Sequence, residues 1–150
     1  MIEPELCIVG LEAASSEEAI RALARVLHRE GRVRASFEEA AVARERRSPT
    51  ALPFEPLAVA LPHAEPEHVL APAIAIATLT RAVAFREMGS PATEHAVRVV
   101  VMPAFGSKEQ AGAELSRLIE ALQEPAAVAA LADATSPRSL CEALRARWGA

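Results

Sequence analysis

His63 is the residue of this chain whose type and position could do chemistry. It follows the short apolar run 57–61 and stands directly after Pro62. The run predicts a strand, and functional side chains of open α/β sheets lie just past strand ends. Because proline fixes its own φ and favours an extended residue before it, the imidazole is expected to be held rigidly. A neutral ring held this way could accept a phosphoryl group in line, although a purely structural histidine fits the same pattern.

A second histidine, His68, lies five residues after His63 in a segment that also contains Glu65 and Glu67. Histidine and carboxylate side chains are zinc ligands, so a metal-dependent hydrolase is an alternative. Pro66 interrupts any helix between the two histidines, so they are not expected to share a helical face. We therefore expect no metal site and give His68 a supporting or structural role.

Helix and strand signals alternate along the chain, and the elements that they predict must position His63. Three prolines in 48–56 indicate an ordered loop of extended segments and turns before the 57–61 strand. The pattern as a whole predicts one α/β domain of about four or five strands, with helices on both faces of the sheet. Helices are predicted to begin at Ser15, Ser36, Ser107, Pro125 and Ser136-Pro137, and strands are predicted over 6–9, 57–61, 73–79, 83–85 and 96–102.

Composition limits the function classes. The 150 residues suffice for one domain, and 51% of them are hydrophobic. A net charge of −4 and only 3% aromatic residues argue against nucleic acid as a partner. The two cysteines are far apart in sequence and form no metal-binding pattern, which is typical of a reduced cytosolic protein. No apolar run approaches the ~20 residues of a membrane span, so we expect a cytoplasmic protein without direct membrane insertion.

A specific block of motifs surrounds His63. Its residues are Arg44-Glu45, Pro49-Thr50, Leu52-Pro53, Glu55-Pro56, Val59-Ala60-Leu61-Pro62-His63, Pro66-Glu67-His68-Val69 and Pro72-Ala73-Ile74-Ala75. With this block the chain resembles type 2 EIIA domains of the sugar phosphotransferase system, the fructose/mannitol/galactitol class, and most of all their galactitol-specific branch. The resemblance implies that residues 1–150 form one such domain, a three-layer sandwich with a mixed central sheet.

The resemblance also implies a function. Such domains accept a phosphoryl group from the phosphocarrier protein HPr on the histidine at the position of His63. They pass it to a cysteine of a IIB component, and the membrane component IIC, an indirect partner, selects the sugar that is taken up and phosphorylated. No metal or organic cofactor is implied. The expected acceptor atom is Nε2, with Nδ1 held by a backbone carbonyl.

Two residues are candidates for stabilising the phosphoryl group. Arg44 matches the arginine that these domains carry before the active-site loop, and its guanidinium fork could bind phosphoryl oxygens. Thr50 could offer its hydroxyl or its backbone N–H. Each has an ordinary structural alternative, since Arg44 could be a surface helix charge and Thr50 could cap the loop.

Two positions depart from the pattern. Related domains usually have glycine where this chain has Ala51, and a second histidine at the position that aligns with Ala111. Lys108, near the start of the same helix, is a candidate substitute for that histidine. These departures favour an alternative function, a regulatory or partner-binding module with weakened or lost phosphoryl transfer.

Overall fold

The computed structural model describes residues 1–148, and five strands and five helices lie within this part of the chain. Short helical turns at Pro4–Leu6 and Pro66–His68 precede β1 and β4 respectively. The strands are β1 (Cys7–Leu11), β2 (Ala51–Leu52), β3 (Ala58–Ala60), β4 (Ala73–Glu87) and β5 (Ser90–Ala104). The helices are α1 (Ser16–Arg29), α2 (Phe37–Arg47), α3 (Lys108–Leu122), α4 (Pro125–Ala132) and α5 (Pro137–Trp148).

The sheet is mixed and is built around the long antiparallel hairpin of β4 and β5. β1 runs parallel to β4, and β3 runs parallel to β5. β2 is antiparallel to β3 and meets the far end of β4, where Ala51 pairs with Glu87. These pairings confirm the predicted α/β domain with a mixed sheet. They also hold β3 between β2 and β5, and His63 follows the end of β3.

Alternating residues of β4 build the two cores of the molecule. Ala75 and Ala77 face α1 and α2 and lie in one core with Leu23. Ile74 and Ile76 face α3 and α5 and lie in the other. The small alanine side chains let helices approach one face of the sheet closely, while isoleucine fills the wider space on the other face. Helices therefore cover both faces, as predicted.

The predicted strand 83–85 is not a separate element. It is the outer part of β4, and the register of β4 against β5 shifts between Thr78 and Val83. Thr80, Arg81 and Ala82 in this stretch are exposed, and they interrupt the apolar pattern although the backbone stays extended. Gly89 supplies the positive φ of the hairpin turn, and β5 begins at Ser90, before the predicted strand 96–102.

The helix starts follow their capping signals with one exception. Ser15 and Ser107 accept hydrogen bonds from the backbone N–H groups of Glu18 and Gln110, at 3.2 and 3.1 Å. The capping box predicted at Ser36 is wrong. Ser36 itself has helical dihedrals, φ −71° and ψ −15°, and its side chain makes no cap bond. A capping residue is normally extended so that its side chain can fold back over the first turn.

Among residues 1–148, no helix is both long enough and apolar enough to cross a lipid bilayer.

Candidate functional site

The imidazole of His63 is fixed by its own backbone. His63 lies three residues past the end of β3, with buried Leu61 and Pro62 before it. Nδ1 is 2.8 Å from the carbonyl oxygen of Leu61. Because a carbonyl can only accept, Nδ1 must donate and therefore carries the proton of the neutral ring. The lone pair is then on Nε2, the ring nitrogen left to act as a nucleophile.

The surroundings of His63 favour its neutral form. Burial lowers the pKa of His63 from its ordinary value of 6.5. The bond to the Leu61 carbonyl acts against burial and raises the pKa, the positive charge of Arg44 lowers it, and the negative charge of Glu65 raises it. The net direction is downward, so the ring is predominantly neutral at pH 7.

We expect the titration of His63 to make stability depend on pH below neutrality. Its folded-state pKa is below that of the unfolded chain, so its contribution to the free energy of unfolding is complete above pH 6.5. This contribution falls as the pH drops through the folded-state pKa. Urea unfolding from pH 7.5 to 5 should therefore show a steeper loss in wild type than in His63→Gln. An NMR titration in which His63 protonates above pH 6.5 would contradict this expectation.

Arg44, in the last turn of α2, is paired with Glu65, two residues after His63. Its Nε donates to Oε1 of Glu65 at 3.1 Å, and the Arg44 side chain is 26% exposed. Within the described residues its other guanidinium nitrogens make no hydrogen bond. The charges of Arg44 and Glu65 both act on the pKa of His63. The ion pair thus brings Arg44, a predicted site residue, to the segment of His63. The guanidinium nitrogens that Glu65 does not bind could donate to an anion.

Thr50 is placed behind the imidazole with its donors already used. The residue is 2% exposed. Its backbone N–H and its hydroxyl donate to the two carboxylate oxygens of Glu45, at 3.0 and 2.8 Å. The same hydroxyl accepts from the backbone N–H of Leu61 at 3.1 Å. We predicted that Thr50 donates directly to a phosphoryl group. In this structure both of its donors are instead bonded to Glu45.

His68 supports the loop, and its ring is hydrogen-bonded to Ser36 and not to His63. Its Nδ1 lies 2.8 Å from the hydroxyl of Ser36, at the start of α2. Its backbone carbonyl accepts from the N–H of Arg34 at 2.8 Å. These bonds tie the loop after His63 to the segment before α2, which agrees with the structural alternative for His68.

A small apolar cleft of about 20 Å³ opens beside His63. Ala111 and Leu115 of α3 form one wall, and Phe105 of the loop before α3 contributes its ring. Ala111 thus faces the same cleft as His63, as expected if it stands where related domains have a histidine. The exposed Lys108 does not line this cleft. Phe105 was missed in the sequence, because nothing in its local pattern distinguishes a cleft residue from a core residue.

Alanine at position 51 fits its place without strain. Ala51 is fully buried in β2, where it pairs with Ala60 and Glu87. Among the described residues, only glycines have a positive φ. Position 51 therefore does not need the left-handed freedom of a glycine in this structure.

Over the described part of the chain, no three histidine, cysteine, aspartate or glutamate side chains are grouped so that they could hold a metal ion. The segment of His63, Glu65 and His68 is no exception, because the Glu65 carboxylate binds Arg44 and His68 turns its ring to Ser36.

Comparison with known proteins points to one family. The family described as "Phosphoenolpyruvate-dependent sugar phosphotransferase system, EIIA 2" matches residues 1–146. No curated protein matches the chain by sequence.

Solved structures with the same fold come from several bacteria. A complex of enzyme IIAMTL and phosphorylated enzyme IIBMTL from Escherichia coli aligns with 27% identity and a TM-score of 0.80, over 98% of this chain and 99% of that one. IIA mannitol from the same organism aligns with 26% identity and a TM-score of 0.77, over 96% and 99%. The nitrogen regulatory protein IIA-Ntr from Neisseria meningitidis shares the fold at 17% identity, with a TM-score of 0.74 and coverage of 95% and 94%.

Proposed function

Because the chain belongs to the EIIA 2 family of the phosphoenolpyruvate-dependent sugar phosphotransferase system, we propose that it carries a phosphoryl group on Nε2 of His63. The observation that carries this proposal is the bond between Nδ1 of His63 and the carbonyl of Leu61, at 2.8 Å. That bond leaves Nε2 unprotonated on a neutral ring. A nucleophile with a free lone pair and a fixed direction is what in-line attack on phosphorus needs.

The transfer has two steps. Nε2 of His63 attacks the phosphorus of phospho-HPr, so that a new P–N bond forms as the bond to HPr breaks. A cysteine thiolate of a IIB component then attacks the same phosphorus, and the P–N bond breaks with its electron pair returning to Nε2. Arg44 is proposed to bind the phosphoryl oxygens during both steps with the guanidinium nitrogens that Glu65 does not occupy.

HPr and a IIB component are the proposed direct partners, and the membrane component IIC is an indirect one. The IIB partner is supported by the related IIAMTL, which was solved in a complex with phosphorylated IIBMTL. We place the protein in the cytoplasm, where these carriers act, and treat residues 1–150 as one EIIA domain. The galactitol-specific branch is the finer proposal, supported by the motif block around His63 and not by the mannitol-type relatives named above.

Phosphoryl labelling tests this function. The purified protein is incubated with labelled phosphoenolpyruvate, enzyme I and HPr, and the label should appear as acid-labile, base-stable phosphate. Omission of HPr should prevent labelling. Addition of a cognate IIB component should then discharge the label. Wild-type protein that takes up no label under these conditions would contradict the transfer function.

A regulatory or partner-binding role is the second candidate function. It is favoured by Ala111, which lines the cleft beside His63 but has no donor to offer a phosphoryl group. The shared fold of the regulatory IIA-Ntr is compatible with such a role. Label that is accepted from HPr but is passed to no IIB component would favour this candidate.

We expect Ala111→His to accelerate phosphoryl transfer. The new imidazole would stand at the edge of the cleft, close enough to donate a hydrogen bond to a phosphoryl group on His63. One added charge-assisted donor should raise the transfer rate by about tenfold. Rapid-quench labelling measures this rate, with Ala113→His as the matched control, because Ala113 is exposed on the same helix and does not line the cleft. Equal rates in the two variants would contradict the expectation.

A further inference from the structure

Three hydrogen bonds, two of which are joined through the backbone of Leu61, connect the end of α2 to the imidazole of His63. This line begins at the carboxylate of Glu45, which accepts from the hydroxyl of Thr50 at 2.8 Å. It continues through that hydroxyl to the N–H of Leu61 at 3.1 Å. It ends where the carbonyl of Leu61 accepts from Nδ1 of His63 at 2.8 Å. Glu45 is thus joined to the histidine through two intervening residues.

The donors in the first half of this line all point toward Glu45. Thr50 presents two donors, its N–H and its O–H, and each is bound by a different oxygen of the Glu45 carboxylate. The hydroxyl hydrogen is therefore directed at Glu45, and the oxygen lone pairs are free for Leu61. An ionised carboxylate offers an acceptor on each oxygen and no donor, whereas an amide would present a donor to one of the two Thr50 donors.

The anchored residue, Leu61, is the one that orients the imidazole. It lies one residue beyond the end of β3, and the proline after it has no N–H with which to hold the backbone. Its own N–H is held by the Thr50 side chain. If that bond is lost, the Leu61 carbonyl can turn, and Nδ1 of His63 loses the acceptor that determines its tautomer.

We propose that Glu45 is a positioning residue for His63, which acts through Thr50 and Leu61 to keep the proton on Nδ1 and the lone pair on Nε2. This inference rests on the proposed phosphoryl function for its effect on rate, but its effect on the tautomer stands by itself. Burial raises the pKa of Glu45 to about 7, while the two Thr50 donors oppose that rise. Measurements at pH 8.5 therefore test the ionised carboxylate.

Two pairs of variants test the line at different points. Glu45→Gln removes one acceptor and introduces a donor, and Glu142→Gln is its control, because it makes the same substitution at an exposed position of α5. Thr50→Val removes the hydroxyl and keeps the branched shape, while Thr50→Ser keeps the hydroxyl. Thermal unfolding first establishes that each variant is folded.

The first measurement is the tautomer of His63, read from long-range proton–nitrogen NMR correlations at pH 8.5. Wild type, Glu142→Gln and Thr50→Ser should show Nδ1–H alone. Glu45→Gln and Thr50→Val should show a mixture with Nε2–H. The second measurement is the rate of labelling by phospho-HPr, which should fall about tenfold or more in the same two variants, since small misplacements of a reacting group cost this much or more.

The outcomes separate the inference from the proposed function. Nδ1–H alone in both Glu45→Gln and Thr50→Val would overturn the inference, and so would an equal loss of rate in Thr50→Ser. If Glu45→Gln does not fold, the two Thr50 variants decide. If wild type takes no label while the variants shift the tautomer, the proposed function fails and the positioning role of Glu45 stands.

Discussion

Replacing His63 by alanine is expected to abolish phosphoryl uptake from phospho-HPr, with a loss of at least about 10³-fold in the labelling rate. The substitution removes the nucleophilic Nε2 itself, and no neighbouring residue can take its place. The ring of His68 is turned to Ser36, whose hydroxyl is hydrogen-bonded to Nδ1. The effect on stability should be small by comparison, because His63 is only half-buried and its hydrogen bond is to a backbone carbonyl.

The measurement is incorporation of acid-labile label at equal protein concentration, with thermal unfolding as the check on folding. His28→Ala is the matched control, since His28 is exposed on α1 far along the chain from the site. It should label as wild type does. Full labelling of His63→Ala would show that the acceptor is another residue, and His68→Ala would then be the next variant to label.

The second large effect is expected for Arg44→Gln, in which the transfer rate should fall about 10²-fold. The change removes the positive charge that we propose to bind the oxygens of the transferred phosphoryl group. Loss of one such preorganised donor costs on the order of 10²-fold in rate. The same change should raise the pKa of His63, because the Arg44 charge is one of the causes that lower it. The rate and the titration therefore both report on Arg44.

The control for Arg44→Gln is Arg47→Gln, the same substitution at an exposed position at the end of the same helix. Glu65→Gln provides a test in the opposite direction, because it releases the guanidinium from its ion pair and removes a charge that raises the pKa of His63. Its transfer rate should equal or exceed that of wild type. A rate for Arg44→Gln within twofold of Arg47→Gln would show that Arg44 is an ordinary surface charge.

Much of the fold was predictable because its signals are local. Ser15 and Ser107 begin helices by bonding to residues three positions ahead, which the spacing of side chains along the chain already implies. The alternation of alanine and isoleucine in 73–79 is also a local signal, because it places the two residue types on opposite faces of one strand. The prediction of a separate strand over 83–85 failed because strand pairing, and not the apolar pattern, sets the length of β4. β4 continues past its exposed stretch because β5 pairs with it on both sides of that stretch, and this partner is not readable from the stretch itself.

The candidate site divides in the same way. His63 was identified from its position after a strand and a proline, and the structure adds the carbonyl that sets its tautomer. Arg44 was identified only through the family resemblance, and the structure brings it to the site through Glu65. Thr50 was selected for its donors, yet those donors belong to Glu45, which had no signal of its own beyond a place in the motif block.

By itself, the sequence determined the alternation of helices and strands, the rigid Pro62-His63 segment and the family to which the motif block belongs. These properties depend on backbone preferences and on the order of residues, which act between near neighbours. The tertiary structure decided which way the imidazole of His63 points and what holds it there. That outcome depends on Glu45 and Leu61, 16 residues apart in the chain, meeting through the hydroxyl of Thr50. Hydrogen bonds between distant segments form only when folding brings the donor and the acceptor into contact, and no local pattern encodes that meeting.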